Sequence, residues 1–325
     1  MNCLAEQISA IHQRPFKREM LLMGNHFEIT VVSDDKDWAY ERIDEAVNEI
    51  KRIESILTTF KDDSETNLVN RHAGIKPVEV SEEVFSLIQR SIRISKLTQG
   101  AFDITYGSID KSLWNFDRNM KSLPSPEKAK EMVQLINYRN VILDVERRTV
   151  FLKEKGMRIG FGGIGKGYAA EMAKSVMMKQ GVTDGIVNAS GDLAVWGYQP
   201  NGSPWTIGVA HPDASHMPFS HMNVTDKAIA TSGNYEKYVI IDNKKYSHTI
   251  NPRTGLPVSG IKSVTIISPN AELSDALATP VTIMGIKVGL NLINQLKNVE
   301  CIIVDDHNKL YLSRNIHLSW VNIFT

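Results

Sequence analysis

Cysteine is nearly absent from this chain of 325 residues: Cys3 and Cys301 are the only two and stand at opposite ends, so no disulfide framework holds the fold. Net charge is missing as well. Lysine plus arginine number 37 and aspartate plus glutamate number 37, which leaves no global field to draw the chain to nucleic acid. There is no apolar run long enough for a membrane span or a secretory core near the start, so the sequence as written is expected in the cytoplasm. A different start would make it periplasmic or membrane-anchored. A lipid on Cys3 would need an apolar segment upstream that MNCLAEQ does not provide.

No stretch rich in Pro, Gly or Ser divides the chain, and no repeat recurs at a fixed period. What is present is the composition of a globular protein, 42% hydrophobic and 23% charged. Residues 1–20 are expected as an N-terminal extension, and 21–325 as one domain with room for two lobes. FEITVV reads as a strand. From Trp38 to Phe60 the apolar residues Ala39, Ile43, Ala46, Val47, Ile50, Ile53 and Leu57 recur at three- and four-residue steps, the pattern of a helix with one buried face. Ser81 before two glutamates predicts the cap of a second helix reaching Leu97, and VILDVERRTVFL reads as a hairpin.

Helices are further expected near Glu127–Ile136, over Lys166–Lys179 and near Ser274–Leu296, with strands at GIVNAS, PWTIGVA, KAIATSG, KYVIID, KSVTIIS, ECIIVDD and KLYLSR. Short turns between strands favour antiparallel sheets with helices packed on their faces, an α+β fold.

Five segments could carry chemistry. RIGFGGIGKGYAAE, with five glycines between a strand and a helix, lets a ligand approach the backbone and offers a helix N-terminus and the Lys166 cation to a phosphate. Gly160, Gly162 and Gly165 satisfy G-x-G-x-x-G, yet the acid a dinucleotide site needs after the next strand is replaced by Asn188, and Gly167 stands where a Walker A loop needs Ser or Thr. A turn without a ligand remains the plain alternative. In SDALATPVTIMG, Asp275 and Thr279 share a helix face and offer hard oxygens to magnesium, unless Ser274 or Asp275 is only a helix cap.

YSHTINPRTGLPVSG shapes tight turns around His248, either a proton carrier near neutral pH or a structural hydrogen-bonding group. TQGAFDITYG puts Asp103 in a β-like stretch, and ATSGNYEKY offers Thr231, Ser232 and Asn234 in a turn. Either segment can be mere connection. The histidines at 211, 216 and 221 fit no single helix face or strand edge and no zinc spacing, and are expected in a solvated loop.

Taken in order, MGNHFEI, GAFDITYG, GGIGKGYAAE, ATSGNYEKY, SHTINPRTGLPV and DALATPVTIMG resemble the ApbE-type FAD:protein FMN transferases. The resemblance runs from about Met23 to Leu312. It implies an α+β unit with a T-fold-like portion and a magnesium-dependent enzyme. Such an enzyme splits FAD, releases AMP and esterifies FMN to a Thr or Ser of an acceptor flavoprotein, a redox-complex subunit or flavin carrier.

Residue by residue, the resemblance implies metal ligation by Gly163, Asp275 and Thr279, with Asp275 also catalytic and His248 as base. FAD contacts are implied at Met23, Phe60, Ala101, Phe102, Asp103, Gly160, Lys166 and Thr249. Gly160 and Phe60 depart from the pattern, which often has Asp and Tyr at these places; the first removes a side-chain contact and the second keeps a ring without its hydroxyl. An FAD pyrophosphatase and a non-catalytic FAD-binding module are the rival readings, with an NAD-dependent oxidoreductase behind them.

Overall fold

Strand β1 (Arg14–Leu22) and strand β2 (Asn25–Ser33) form a hairpin whose two-residue turn, Met23 and Gly24, has positive φ at both positions, 51° and 68°. That geometry matches the twist of paired strands. The computed structural model describes residues 13–110, 122–211, 214–233, 238–241 and 244–316. Cys3 and Asn234 lie outside them. β1 starts at Arg14, so the sequence's expected extension through residue 20 already belongs in part to the sheet.

Helix α1 (Lys36–Leu57) follows, capped by Asp35, whose carboxylate accepts the N–H groups of Asp37 and Trp38. Its buried face is Ala39, Ile43, Ala46, Val47, Ile50, Ile53 and Leu57, and each fully buried Ile contributes about 1.5–3 kcal/mol relative to exposure. Helix α2 (Glu65–Arg71), strand β3 (Val78–Glu79) and helix α3 (Glu82–Leu97) come next, the last capped by Ser81. Helix α4 (Pro126–Met132) precedes the hairpin of β4 (Val141–Asp144) and β5 (Thr149–Leu152), which pairs with β3.

Helix α5 (Gly165–Lys179) leads to β6 (Gly185–Ala189), β7 (Asp192–Trp196), the hairpin β8 (Trp205–His211) and β9 (Ala214–Val224), and β10 (Lys227–Gly233). The segment expected as a solvated histidine loop is therefore mostly paired backbone: His211 ends β8 and His216 and His221 lie on β9. Strands β11 (Tyr238–Ile241) and β12 (Lys244–Ser247) form a small hairpin, and β13 (Ile261–Ser268) enters the main sheet.

One long helix was expected over Ser274–Leu296. Two form instead, α6 (Ala271–Met284) and α7 (Ile286–Ile293), because Gly285 takes φ 80° between them, outside the right-handed helical region. Asn270 caps α6, so neither Ser274 nor Asp275 is the cap. Strands β14 (Glu300–Asp305) and β15 (Leu310–Leu312) complete the chain as described.

Among the described residues, eight strands form one sheet in the order β1-β2-β6-β7-β10-β13-β14-β15, every neighbour antiparallel. Helices α1, α5 and α6 cover one face, where Val187, Ala194, Ala228, Val264 and Ile266 meet them. Hairpin β8–β9 covers part of the other, laying Trp205, Met222 and Val224 over Val195, Ile229, Ile267 and Ile302. The architecture is α+β. No described helix is long and apolar enough to cross a membrane.

Candidate active site at the junction of two helices

The glycine-rich segment enters α5 without a side-chain cap: Ile164 stands at the cap position and offers no polar atom. A carboxylate from another helix does the work. Asp275, in the second turn of α6, accepts the N–H of Gly167 at 2.9 Å and also bonds the backbone N–H of Lys166. An acid at the positive end of a helix is favourable, and here it is buried besides. The favour is returned, since Glu171 of α5 accepts the N–H of Ala271 at the start of α6 at 2.8 Å.

This exchange is possible because residue 167 is glycine. A Cβ there would stand 2.1 Å from the Ala271 carbonyl oxygen and 2.7 Å from the Asp275 Cβ, so any side chain would force the helices apart.

Lys166 reaches the same niche from the first turn of α5. The sequence suggested a phosphate for it; its ammonium forms an ion pair with Asp192, a residue the sequence reading did not single out. Asp192 opens β7 after a tight turn in which Ser190 and Gly191 both have positive φ and the Asn188 side chain accepts the Gly191 N–H at 2.8 Å. The backbone N–H of Thr231, in the ATSG strand, also bonds the Asp192 carboxylate.

Two buried carboxylates thus share one ammonium. Burial raises the Asp275 carboxyl above the usual carboxylate range, against the pull of Lys166 and the two N–H donors. Burial, then repulsion from Asp275, raises Asp192 to about 7 despite its ion pair. Burial alone would lower Lys166, but Asp275 and Asp192 outweigh it and hold the ammonium up. Such a niche is short of positive charge.

Of the oxygens expected to hold a metal, the Asp275 carboxylate lies in this niche; Thr279 follows it by one turn on α6, and Gly163 lies in the glycine turn two residues before α5. The α5 ladder begins only at Ile164, whose carbonyl accepts the Tyr168 N–H at 2.9 Å, so the Gly163 carbonyl stands outside it. Among the described residues, no three His, Cys, Asp or Glu side chains gather as a metal cluster. A cation here would depend on backbone, hydroxyl and ligand oxygens as much as on carboxylate.

Apolar residues form the adjoining wall. The Phe102 ring lies 3.5 Å from where a Gly163 side chain would begin, and the Met23 methyl and Leu57 lie 3.9 Å from the same place on Gly165. Ala101 is buried beside Phe102. Next to it, Asp103 caps a 3-10 turn over Ile104–Ser108: one oxygen accepts the Thr105 N–H and hydroxyl at 2.8 and 2.6 Å, and the other accepts the Tyr138 N–H at 3.0 Å. That carboxylate acts within the fold.

At Gly160 an added Cβ would meet nothing within 4 Å, so the absent side chain leaves open space rather than a packed turn. Phe60 projects from the loop after α1 and is 96% exposed. Thr249 is buried and His248 exposed on a loop closed by the Ile250–Pro257 bridge. Arg253 donates to the Thr98 and Gln99 carbonyls, at 3.2 and 2.5 Å, and the Tyr106 hydroxyl accepts the Ile250 N–H at 3.3 Å. These bonds tie the His248 loop to the GAFD segment.

Known proteins share this arrangement of the chain. The ApbE family model matches residues 23–303. A curated FAD:protein FMN transferase of Klebsiella pneumoniae is 30% identical over 302 residues, covering 92% of each chain, and one of Treponema pallidum is 25% identical over 319 residues, covering 93% of this chain and 88% of the relative. Among solved structures, the ApbE protein of Thermotoga maritima superposes with a TM-score of 0.81 at 30% identity, covering 93% of this chain and 97% of that one. A motif order that spans nearly the whole length, on a fold shared at that level, places the chain in the ApbE family, the FAD:protein FMN transferases.

Proposed function

We propose that the niche between α5 and α6 takes the pyrophosphate of FAD together with a divalent cation, and that FMN passes from there to a Thr or Ser hydroxyl of an acceptor flavoprotein while AMP leaves. The observation that carries this reading is the meeting of two remote stretches, with the Gly167 N–H bonded to the Asp275 carboxylate at 2.9 Å. It brings the glycine turn, Lys166 and Asp275 to one charge-deficient niche, with Thr279 one turn further along α6.

In the transfer, the acceptor oxygen forms a bond to the FMN phosphorus as the bridging bond to the AMP phosphate breaks, and the hydroxyl proton passes to a base. His248, exposed on its loop, is our candidate for that base. Gly163, Asp275 and Thr279 fit a magnesium ion by their hard oxygens, and such an ion supplies neutralisation of the charge that grows on the leaving phosphate. Lys166 adds a positive charge held in place by Asp192, and the first N–H groups of α5 orient Asp275. Phe102 and Met23 give the site an apolar wall against which the flavin can lie.

The test is direct. Incubated with FAD, Mg²⁺ and a flavin-carrier domain that an established transferase modifies, the protein is expected to add the mass of one FMN to that domain. An unmodified carrier with free FMN and AMP in solution would instead identify a hydrolase, and no turnover at all a binding module.

The buried acids also make cation binding sensitive to pH. A carboxyl raised by the fold is protonated at low pH at little cost, and the cost of its ionised form appears as pH rises through its folded value, so the cation-free protein loses stability between mildly acidic and mildly alkaline pH. A divalent ion competes with those protons. Mg²⁺ is therefore expected to raise Tm more at pH 8 than at pH 5.5, and an equal shift at both would separate the ion from this pair of acids.

A further inference from the structure

The side chains of Phe102 and Asp103 face opposite ways. The Phe102 ring turns toward Gly163 and the proposed flavin niche, while the Asp103 carboxylate, one residue on in an extended backbone, points to Tyr138. Behind the GAFD segment on that second side lies a separate cleft of about 570 Å³, walled by the end of α3, by α4 and the turn after it, and by Pro252 and Arg253.

Three cations line it: Lys130, Arg139 and Arg253. Arg253 is already engaged with the Thr98 and Gln99 carbonyls. Lys130 and Arg139 are exposed, and among the described residues neither forms an ion pair. Among the described residues, the only acid in the lining is Asp103, buried and bonded to Thr105 and Tyr138. Arg139 acts on Asp103 through its charge, so the three cations exceed the one acid and leave the cleft with an excess of positive charge, carried most freely by Lys130.

Its shape and lining argue against a compact phosphate. The α-helix ends nearest it are the carbonyl ends of α3 and α4, which repel anions, and the short 3-10 turn over Tyr138–Asn140 has its Arg139 N–H already taken by the Asn137 side chain. Nor is an aromatic face open for a nucleobase, because Tyr138 is buried and the Arg139 guanidinium covers its ring at 4.7 Å. What the cleft offers is spaced positive charge together with the side-chain amides of Gln99 and Gln134, suited to the carboxylates and the backbone of an extended chain.

We propose that this cleft binds an acidic peptide segment of the acceptor protein, next to the site where its hydroxyl receives FMN. The proposal rests on the transferase reading for the identity of the partner. The binding itself can be measured without turnover.

A fluorescein-labelled peptide of alternating Glu and Gly is expected to bind the full chain, more weakly as salt rises, while its Lys–Gly counterpart does not. Combining Lys130→Glu with Arg139→Gln is expected to weaken the Glu–Gly peptide about tenfold, through loss of two attractive charges and gain of one repulsive charge. FAD binding and Tm should stay unchanged. Where transfer is measured, the double variant should raise KM for the acceptor and leave kcat alone. An acidic peptide that fails to bind, or binds the double variant equally well, overturns the proposal. So does its displacement by AMP, or weakened FAD binding in the variant, either of which would make the cleft part of the nucleotide site. A transferase reading that failed would show as missing FMN transfer with peptide binding intact.

Discussion

Asp275→Asn is expected to leave the chain folded and to lower FMN transfer about a thousandfold or more, the equivalent of about 4 kcal/mol of lost charge stabilisation at the phosphate. The two parts of this result have separate causes. The amide oxygen of Asn still accepts the Gly167 N–H, so the cap on α5 survives. Removing the charge also relieves Asp192, whose carboxyl is raised partly by repulsion from Asp275, and Lys166 keeps its ion pair with Asp192. The variant without cation should therefore melt no lower than the parent. What it loses is an anionic oxygen toward the cation, so the Mg²⁺-induced rise in Tm should shrink together with transfer. Circular dichroism melts with and without Mg²⁺, beside a mass assay of the acceptor, check both halves. A variant that transfers FMN at the parent rate would remove Asp275 from the chemistry.

How much of this was legible beforehand depends on how local the physics is. The buried face of α1 is written in a 3.6-residue period, and the helix that forms buries the same seven residues that the period marks. β1 is harder to see, because as an edge strand it alternates Lys17, Arg18 and Glu19 with few apolar residues, and its pairing to β2 is what makes it a strand. Gly285 marks the division between α6 and α7 in the sequence, but an isolated glycine in an apolar helical pattern is equally compatible with one helix.

Asp192 shows the deeper limit. Its only local sign is the S-G-D turn after GIVNAS. Its importance comes from the sheet order that brings β7 beside β10 and under the first turn of α5, where Lys166 meets it. For the same reason Lys166 read as a free phosphate-binding cation, when the fold surrounds it with two acids. Asp103 lay in a motif that the family resemblance picks out, and its bond to Thr105 two residues on is local, yet its bond to the Tyr138 N–H joins residues 35 positions apart that no spacing rule connects.

Gly167→Ala is expected to lower stability by about 3 kcal/mol or more, and Tm by roughly 6 °C or more, while transfer falls below detection. The methyl group would occupy space 2.1 Å from the Ala271 carbonyl oxygen, and that neighbour is backbone that cannot rotate away. Separation of α5 from α6 is the only relief. It breaks both exchanged caps, the Gly167 N–H to Asp275 and the Ala271 N–H to Glu171, each worth about 1 kcal/mol in a typical helix. It also draws the glycine turn away from the Asp275–Thr279 face, so a loss of cation response should accompany the loss of stability. Gly162→Ala is the control, since an added Cβ there meets nothing within 4 Å and should change neither Tm nor the Mg²⁺ shift. If both alanine variants melt together with the parent, then the helices are not held at the distance on which this site depends, and the meeting of the glycine turn with Asp275 cannot be what assembles it.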